Sequence, residues 1–233
     1  MTASATKAAP LNLDLLRTVP FHAAPDAVLL DPLRPRETPS EEFGTLRTNL
    51  AHLKAERNIR TVLITSPAQG EGKSFAAVNL ALAEAQLANN PTLLCDFDLR
   101  RSSLHRIFQI DREPGLSDYL LGRAELHEVI QRVGAGSLFV MTAGAPVINP
   151  LELLHLDETR RLLAILSSRF RSVILDSPPL AAASDANLLA TLVDGTLLVT
   201  RLGATRVDAM GLAIQSLGQS SVLGIIANGG PRT

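Results

Sequence analysis

The stretch Thr61-Val62-Leu63-Ile64-Thr65-Ser66-Pro67-Ala68-Gln69-Gly70-Glu71-Gly72-Lys73-Ser74 constrains this chain more than any other. A short apolar, β-branched run enters a loop of small residues, and Phe75-Ala76-Ala77-Val78-Asn79-Leu80 continues as a helix. Strand, glycine-rich loop and helix in that order make a phosphate-binding loop. Glycines let backbone N–H groups turn toward phosphate oxygens, and the new helix adds its unpaired N–H groups and positive end. In such a loop Lys73 reaches the β- and γ-phosphates and the Ser74 hydroxyl ligates Mg²⁺. Gly70, Glu71, Gly72, Lys73, Ser74 and Phe75 are the expected nucleotide-binding residues. The opening glycine of Gly-x-x-x-x-Gly-Lys-Ser/Thr is replaced by Pro67, which offers no N–H and a fixed φ.

Apolar runs then alternate with helical stretches. The expected strands are Thr92 to Asp96, Leu138 to Thr142, Ser172 to Asp176, Gly195 to Thr200 and Val222 to Ala227. Helices are expected from Lys73 to about Ala88, at Ser103 to Phe108, Leu116 to Leu121, Glu125 to Val133, Asp157 to Phe170, Ala186 to Val193 and Arg206 to Leu217. This alternation predicts an α/β fold, a mostly parallel, doubly wound sheet with helices on both faces. Ligands of such a sheet sit at the carboxyl ends of its strands. Aromatics make up only 3% of the 233 residues, so the core must be built of Leu, Val, Ile and Ala. Residues 1–37, punctuated by Pro10, Pro20, Pro25, Pro32 and Pro35, read as a loosely structured tail with room for a short helix near Asn12 to Arg17. Residues 38–233 read as one domain. Its first helix is expected to have Thr38 as N-cap, Pro39 at the first helical position and Glu41 completing a capping box.

Three carboxylates fall where this sheet would present them to a nucleotide. Asp96 and Asp98 follow the Thr92 strand and Asp176 follows the Ser172 strand. A carboxylate at a strand end can hold Mg²⁺ or one of its waters, and a second one nearby can accept a proton from an attacking hydroxyl. Arg100 and Arg101 either touch phosphates or face water. The five histidines are scattered without metal-ligand spacing. Cys95 is the single cysteine, so no intrachain disulfide is possible; its apolar neighbours predict a packed thiol in a reducing compartment. A formal charge of −1 gives no reason to expect a nucleic-acid partner. Neither a secretory segment nor a membrane span is readable.

Several stretches in this order resemble the bacterial tyrosine kinases (BY-kinases) of capsule and exopolysaccharide synthesis, the cytoplasmic P-loop domain of the CapB/CpsD/Wzc type. They are Ser40-Glu41-Glu42-Phe43-Gly44-Thr45-Leu46-Arg47, the Gly70-to-Ser74 loop, Asp96-Phe97-Asp98-Leu99-Arg100-Arg101, Gly115-Leu116-Ser117-Asp118-Tyr119-Leu120, Asn149-Pro150-Leu151-Glu152-Leu153-Leu154, Asp176-Ser177-Pro178-Pro179 and Val193-Asp194-Gly195. The resemblance covers about Thr38 to Asn228. It implies an ATP- and Mg²⁺-dependent protein tyrosine kinase on a P-loop fold. Lys73 and Ser74 then belong to Walker A, Asp96 and Asp98 to Walker A′ and Asp176 to Walker B. Ser74 and Asp96 are expected on Mg²⁺, Asp176 on a metal-bound water and Asp98 as the base, with Lys73, Asp98 and Asp96 as the catalytic set. The resemblance also implies a separate membrane-spanning chain-length determinant or co-polymerase as partner, and a cytoplasmic domain held peripherally at the inner membrane through it.

Two positions depart from the family pattern. Gly44 stands between Glu41 and Arg47 where the family's interface helix carries a middle Arg, which weakens the homo-oligomer the resemblance implies. No tyrosine follows the Val222 strand, and the sole tyrosine, Tyr119, is flanked by leucines at helical spacing and reads as a half-buried ring. Two other readings compete. A ParA/MinD-like ATPase would carry a lysine at Ala68. A nucleotide-dependent switch of the polysaccharide machinery would need no acceptor tyrosine.

Overall fold

A computed structural model describes residues 11–182, 184–218 and 220–229. In chain order the strands are β1 (Thr18–Val19), β2 (Thr61–Thr65), β3 (Thr92–Asp96), β4 (Ile130–Val133), β5 (Leu138–Met141), β6 (Ser172–Asp176), β7 (Gly195–Arg201) and β8 (Val222–Asn228). The helices are α1 (Ser40–Arg57), α2 (Lys73–Ala85), α3 (Leu104–Ile107), α4 (Leu116–Leu120), α5 (Leu126–Val129), α6 (Pro150–Leu154), α7 (Asp157–Arg169), α8 (Asp185–Ala190) and α9 (Val207–Leu217). The strands form one sheet in the order β1-β4-β5-β3-β6-β2-β7-β8. All pairs from β5 to β8 are parallel; β4 runs antiparallel to β5, and β1 joins β4 in parallel.

Both faces of the sheet are covered, and the side chains sort by the strand's period of two. Leu63, Leu93, Cys95, Val173 and Leu175 pack on one face with Leu162, Leu166 and Leu189 from α7 and α8. Val62, Ile64, Leu94 and Ile174 pack on the other with Leu50 of α1 and Ala76, Ala77 and Leu80 of α2. Cys95 is fully buried on the first of these faces, and burial pushes its thiol well above the usual range, as expected of a packed cysteine. Between α1 and α2 a short ion pair, Lys54 Nζ to Glu84 Oε2 at 2.8 Å, fixes the two helices that flank the loop strand.

Three expectations are corrected. Only Leu126–Val129 of the helix expected over Glu125 to Val133 is helical; Ile130–Val133 is a strand paired antiparallel with β5. The hairpin turn uses Gly134 at φ 69°, a left-handed position that glycine adopts freely. The first long helix starts at Ser40, with Pro39 as its cap, because Thr38 Oγ1 donates to Glu42 Oε1 (2.7 Å) instead of capping. Residues 11–37 are not a loose tail, although residues 1–10 of that expectation lie outside the described residues. They supply a 3₁₀ turn at Leu13–Leu15, the strand β1, and the buried side chains of Leu11, Leu16, Val19 and Leu30. The Leu30 N–H donates to the buried Asn79 Oδ1 of α2 (2.7 Å), and Asn79 Nδ2 donates to the Val28 carbonyl (3.1 Å).

Candidate active site

Parallel register brings the predicted carboxylates together. Asp96 at the end of β3 stands opposite Asp176 at the end of β6, and Asp176 stands opposite Ile64 of β2, one residue before the strand gives way to the glycine-rich loop. The Phe97 N–H donates to the Asp176 carbonyl (2.8 Å), which locks the two strand ends. Asp96 is heavily occupied. Its Oδ1 accepts the Asp98 N–H (3.2 Å), and its Oδ2 accepts the N–H groups of Ser103 (3.0 Å) and Leu104 (3.1 Å) at the start of α3.

Asp176 is the opposite case. It is 1% exposed, and neither of its carboxyl oxygens has a hydrogen-bond partner among the described residues. Burial, followed by the charge of Asp96, pushes its carboxyl up to about 8, while the Ser74 hydroxyl and the Lys73 ammonium pull the other way. Ser74 is thus close enough to favour the ionised carboxylate without closing a hydrogen bond to it. Burial is also the main reason that Asp96 is raised, to about 7. Two buried like-charged groups, one with every lone pair idle beside a hydroxyl and an ammonium, fit a divalent cation well: its charge and bound waters would satisfy them.

That geometry sets a pH dependence. A carboxyl raised above its unfolded value makes the folded state hold protons that the unfolded state releases, so stability falls as pH climbs from about 4 through 8. Metal-free protein is expected to melt lower at pH 8 than at pH 5. Asp176→Asn should remove most of that slope and raise the metal-free melting temperature at pH 8, on the order of 2 kcal/mol or about 4–8 °C. Thermal melts in EDTA across this range check it; a wild-type melting temperature that rises toward pH 8 would count against a repelling pair.

The loop itself is held from outside. Gly70 and Gly72 lie at φ 82° and 97°, and a Cβ at Gly72 would stand 1.9 Å from Asn228 Nδ2. Asn228, at the end of β8, donates to the Glu71 carbonyl (2.9 Å). Glu71 turns its carboxylate into the fold, accepting the Ala68 N–H (3.0 Å) and the Thr205 hydroxyl (2.5 Å), so its side chain braces the loop. Pro67 lacks a donor but keeps its acceptor: the Ala181 N–H binds its carbonyl at 3.1 Å.

Lys73 and Asp98 are 8% and 9% exposed, and both line a cleft of about 360 Å³ together with Ser74, Phe75, Arg100 and Arg101. Asp98 Oδ1 accepts the Arg101 N–H (2.9 Å). Arg100 neither reaches into the cleft alone nor simply faces water; it pairs with the buried Asp185. The predicted residues therefore converge at one place. The sequence does not single out Asn228, Thr205 or Asp185, because they lie at a strand end, in a loop and at a helix start far along the chain, and only the fold brings them to the site. The asparagine closing an otherwise apolar last strand was the one available signal.

A P-loop at the carboxyl end of a doubly wound sheet, with acidic ends on two neighbouring strands, defines a nucleotide-binding protein of the P-loop class. Comparison with known proteins goes further. The tyrosine-protein kinase YwqD of Bacillus subtilis is 35% identical over 197 residues, covering 84% of this chain and 83% of YwqD. The tyrosine-protein kinase Etk of Escherichia coli is 39% identical over 199 residues, but the chain spans only 27% of Etk's length. Among solved structures, the kinase domain of Escherichia coli Etk matches with a TM-score of 0.79 at 36% identity over 85% of this chain and 80% of that domain. The chimeric CapA2B2 protein matches with a TM-score of 0.81 at 30% identity, over 85% and 88%. The chain belongs to the bacterial tyrosine-protein kinase family. No protein-family model matches it. The septum site-determining protein MinD of Pyrococcus horikoshii, at a TM-score of 0.60 and 21% identity over 72% and 69%, shares the fold alone.

Proposed function

We propose that the chain transfers the γ-phosphoryl group of Mg·ATP to a tyrosine hydroxyl of a protein substrate and thereby controls capsule or exopolysaccharide polymerisation and export. The observation that carries this reading is the buried Asp176 carboxylate, unpartnered on both oxygens and set beside Ser74 and Lys73. In this reading Gly70, Gly72 and Phe75 shape the nucleotide loop through their backbone, and Glu71 holds it closed. Lys73 neutralises the β- and γ-phosphates. Ser74 and Asp96 would hold Mg²⁺, and Asp176 would hold one of its waters. Bound Mg²⁺ supplies charge neutralisation across the transferring phosphoryl group. The hydrogen bonding favours a larger share for Asp176 than the sequence suggests, since three N–H groups already occupy Asp96. Asp98, at the cleft wall, accepts the proton of the attacking hydroxyl.

A separate membrane-spanning chain-length determinant or co-polymerase is the partner this reading implies, with the domain cytoplasmic and held at the inner membrane through it. No helix among the described residues is long and apolar enough to cross a membrane. Residues 38–233 form the catalytic unit, and residues 11–37 are part of its packing. A ParA/MinD-like ATPase is the weaker reading, because Ala68 stands where such a protein places its reaching lysine.

Tyr119 separates transfer to other proteins from self-modification. Its ring is half-buried, its hydroxyl donates to Glu158 Oε1 (3.2 Å), and burial together with Glu158 pushes its pKa up to about 12. Incubation with Mg·ATP and a tyrosine-containing polymer should label the polymer and leave the intact mass of the chain unchanged. Absence of label on the polymer would favour the nucleotide switch. An 80-Da gain lost in Tyr119→Phe, about one phosphate, would make Tyr119 an acceptor.

A further inference from the structure

Asp185 is 1% exposed, in the first turn of α8, and the reading above gives it no task. Among the described residues its two oxygens accept hydrogen bonds from one partner only: Arg100 Nε at 2.9 Å on Oδ2 and Arg100 Nη2 at 3.4 Å on Oδ1. A carboxylate in a helix's first turn usually serves that helix's own N–H groups. This one does not. Its buried charge is matched only by an arginine whose side chain is 44% exposed, so the bond spans two segments of the chain instead of serving the helix. The geometry asks for another reason.

We infer that Asp185 is a positioning residue: by gripping Arg100 from across the cleft mouth, it clamps the loop that carries Asp98 against the loop that follows Asp176. Asp98 is fixed at its base, where its N–H meets Asp96 and its Oδ1 takes the Arg101 N–H, and Leu99 anchors the next residue in the core. Arg100 and Arg101 are the exposed part of this loop, and Arg100 is the one that meets Asp185. The segment after Asp176 lines the same cleft with Pro178 and Pro179 and runs on to Asp185. Among the described residues, Arg100–Asp185 is the only side-chain bond that joins the segment 97–103 to the segment 177–185.

The kinetic arm of the test rests on the phosphoryl-transfer reading; the exchange arm does not. Asp185→Asn, Arg100→Lys, Arg100→Gln and the double variant Asp185→Asn/Arg100→Gln are compared with wild type. In Asp185→Asn, amides of residues 99–103 should exchange with deuterium about tenfold faster. The kcat for transfer should drop on the order of tenfold to a hundredfold, with KM for ATP within about twofold. Arg100→Lys should keep part of the rate, and the double variant should be no worse than the worse single one, since both cut one bond. In Asp185→Asn and in the double variant the melting temperature should move by no more than about 2–4 °C, whereas Arg100→Gln, which leaves a buried carboxylate without a partner, should lower it further. Unchanged exchange over residues 99–103 overturns the inference, as do additive losses in the double variant. If wild type labels no tyrosine, the transfer reading fails and the exchange result and the ATP hydrolysis rate still decide the role of Asp185.

Discussion

Lys73→Ala is expected to weaken Mg·ATP binding on the order of a hundredfold or more and to reduce phosphoryl transfer to background. The ammonium stands at the first residue of α2, 8% exposed, where the helix's free N–H groups and the turned-in backbone at Gly70 and Gly72 converge. Removing one partner of a desolvated charge pair costs about 2–5 kcal/mol, because the phosphate charge is left buried without its counter-charge. The loss should be larger for ATP than for ADP, since Lys73 reaches toward the γ-phosphate. There is a second cost. Lys73 helps to hold the Asp176 carboxyl down, so without it Asp176 protonates more readily and is less able to hold a metal-bound water. Calorimetry with Mg·ATP and Mg·ADP, beside a transfer assay, measures both effects. Near-wild-type affinity for both nucleotides would remove Lys73 from the phosphate site.

Asp98→Asn is expected to leave nucleotide binding within about twofold and to cut kcat by about 10²- to 10⁴-fold, the usual worth of a general base. The substitution preserves shape. Asparagine can still offer an oxygen to the Arg101 N–H, so the loop should keep its path. What disappears is the basic oxygen at the wall of the cleft. Asp96→Asn should behave differently. An amide cannot accept on both sides, and Asp96 takes three backbone N–H groups, two of them at the start of α3. That variant should lose metal-dependent binding and some stability together. Steady-state kinetics, with affinities measured separately, distinguish the two. A full rate in Asp98→Asn would move the base elsewhere.

The sequence makes the site legible because its chemistry is tied to local punctuation. The bounds of β2, β3 and β6 follow from apolar runs that stop at a loop or an aspartate, and these three strands carry the site. What cannot be read is adjacency. That Asp96 faces Asp176 depends on β6 inserting between β3 and β2, a long-range pairing with no local mark. The same holds for Asn228 and Thr205 bracing Glu71, which reach it from beyond β7. The missed strand β4 has a different cause. Val129-Ile130-Gln131-Arg132-Val133 satisfies helix and strand patterns alike, and the turn from Gly134 to Ser137 was the signal for a hairpin. The segment before residue 38 misleads through its prolines. Its buried leucines follow no period, because each one plugs a gap between elements that belong to the rest of the fold.

That segment also sets a schedule. The ribosome makes β1 long before β4, yet Thr18 and Val19 have no place to pair until Arg132 and Val133 exist. Leu30 and Val28 likewise wait for Asn79. During synthesis these early residues can only stand by while the P-loop strand and its helix assemble behind them. The sheet is then closed at one margin by a strand that was translated well before its partner. Pairing of β1 therefore cannot precede synthesis of β4, whereas Val28 and Leu30 can engage Asn79 earlier, and the margin beside β4 is covered only once β1 has docked.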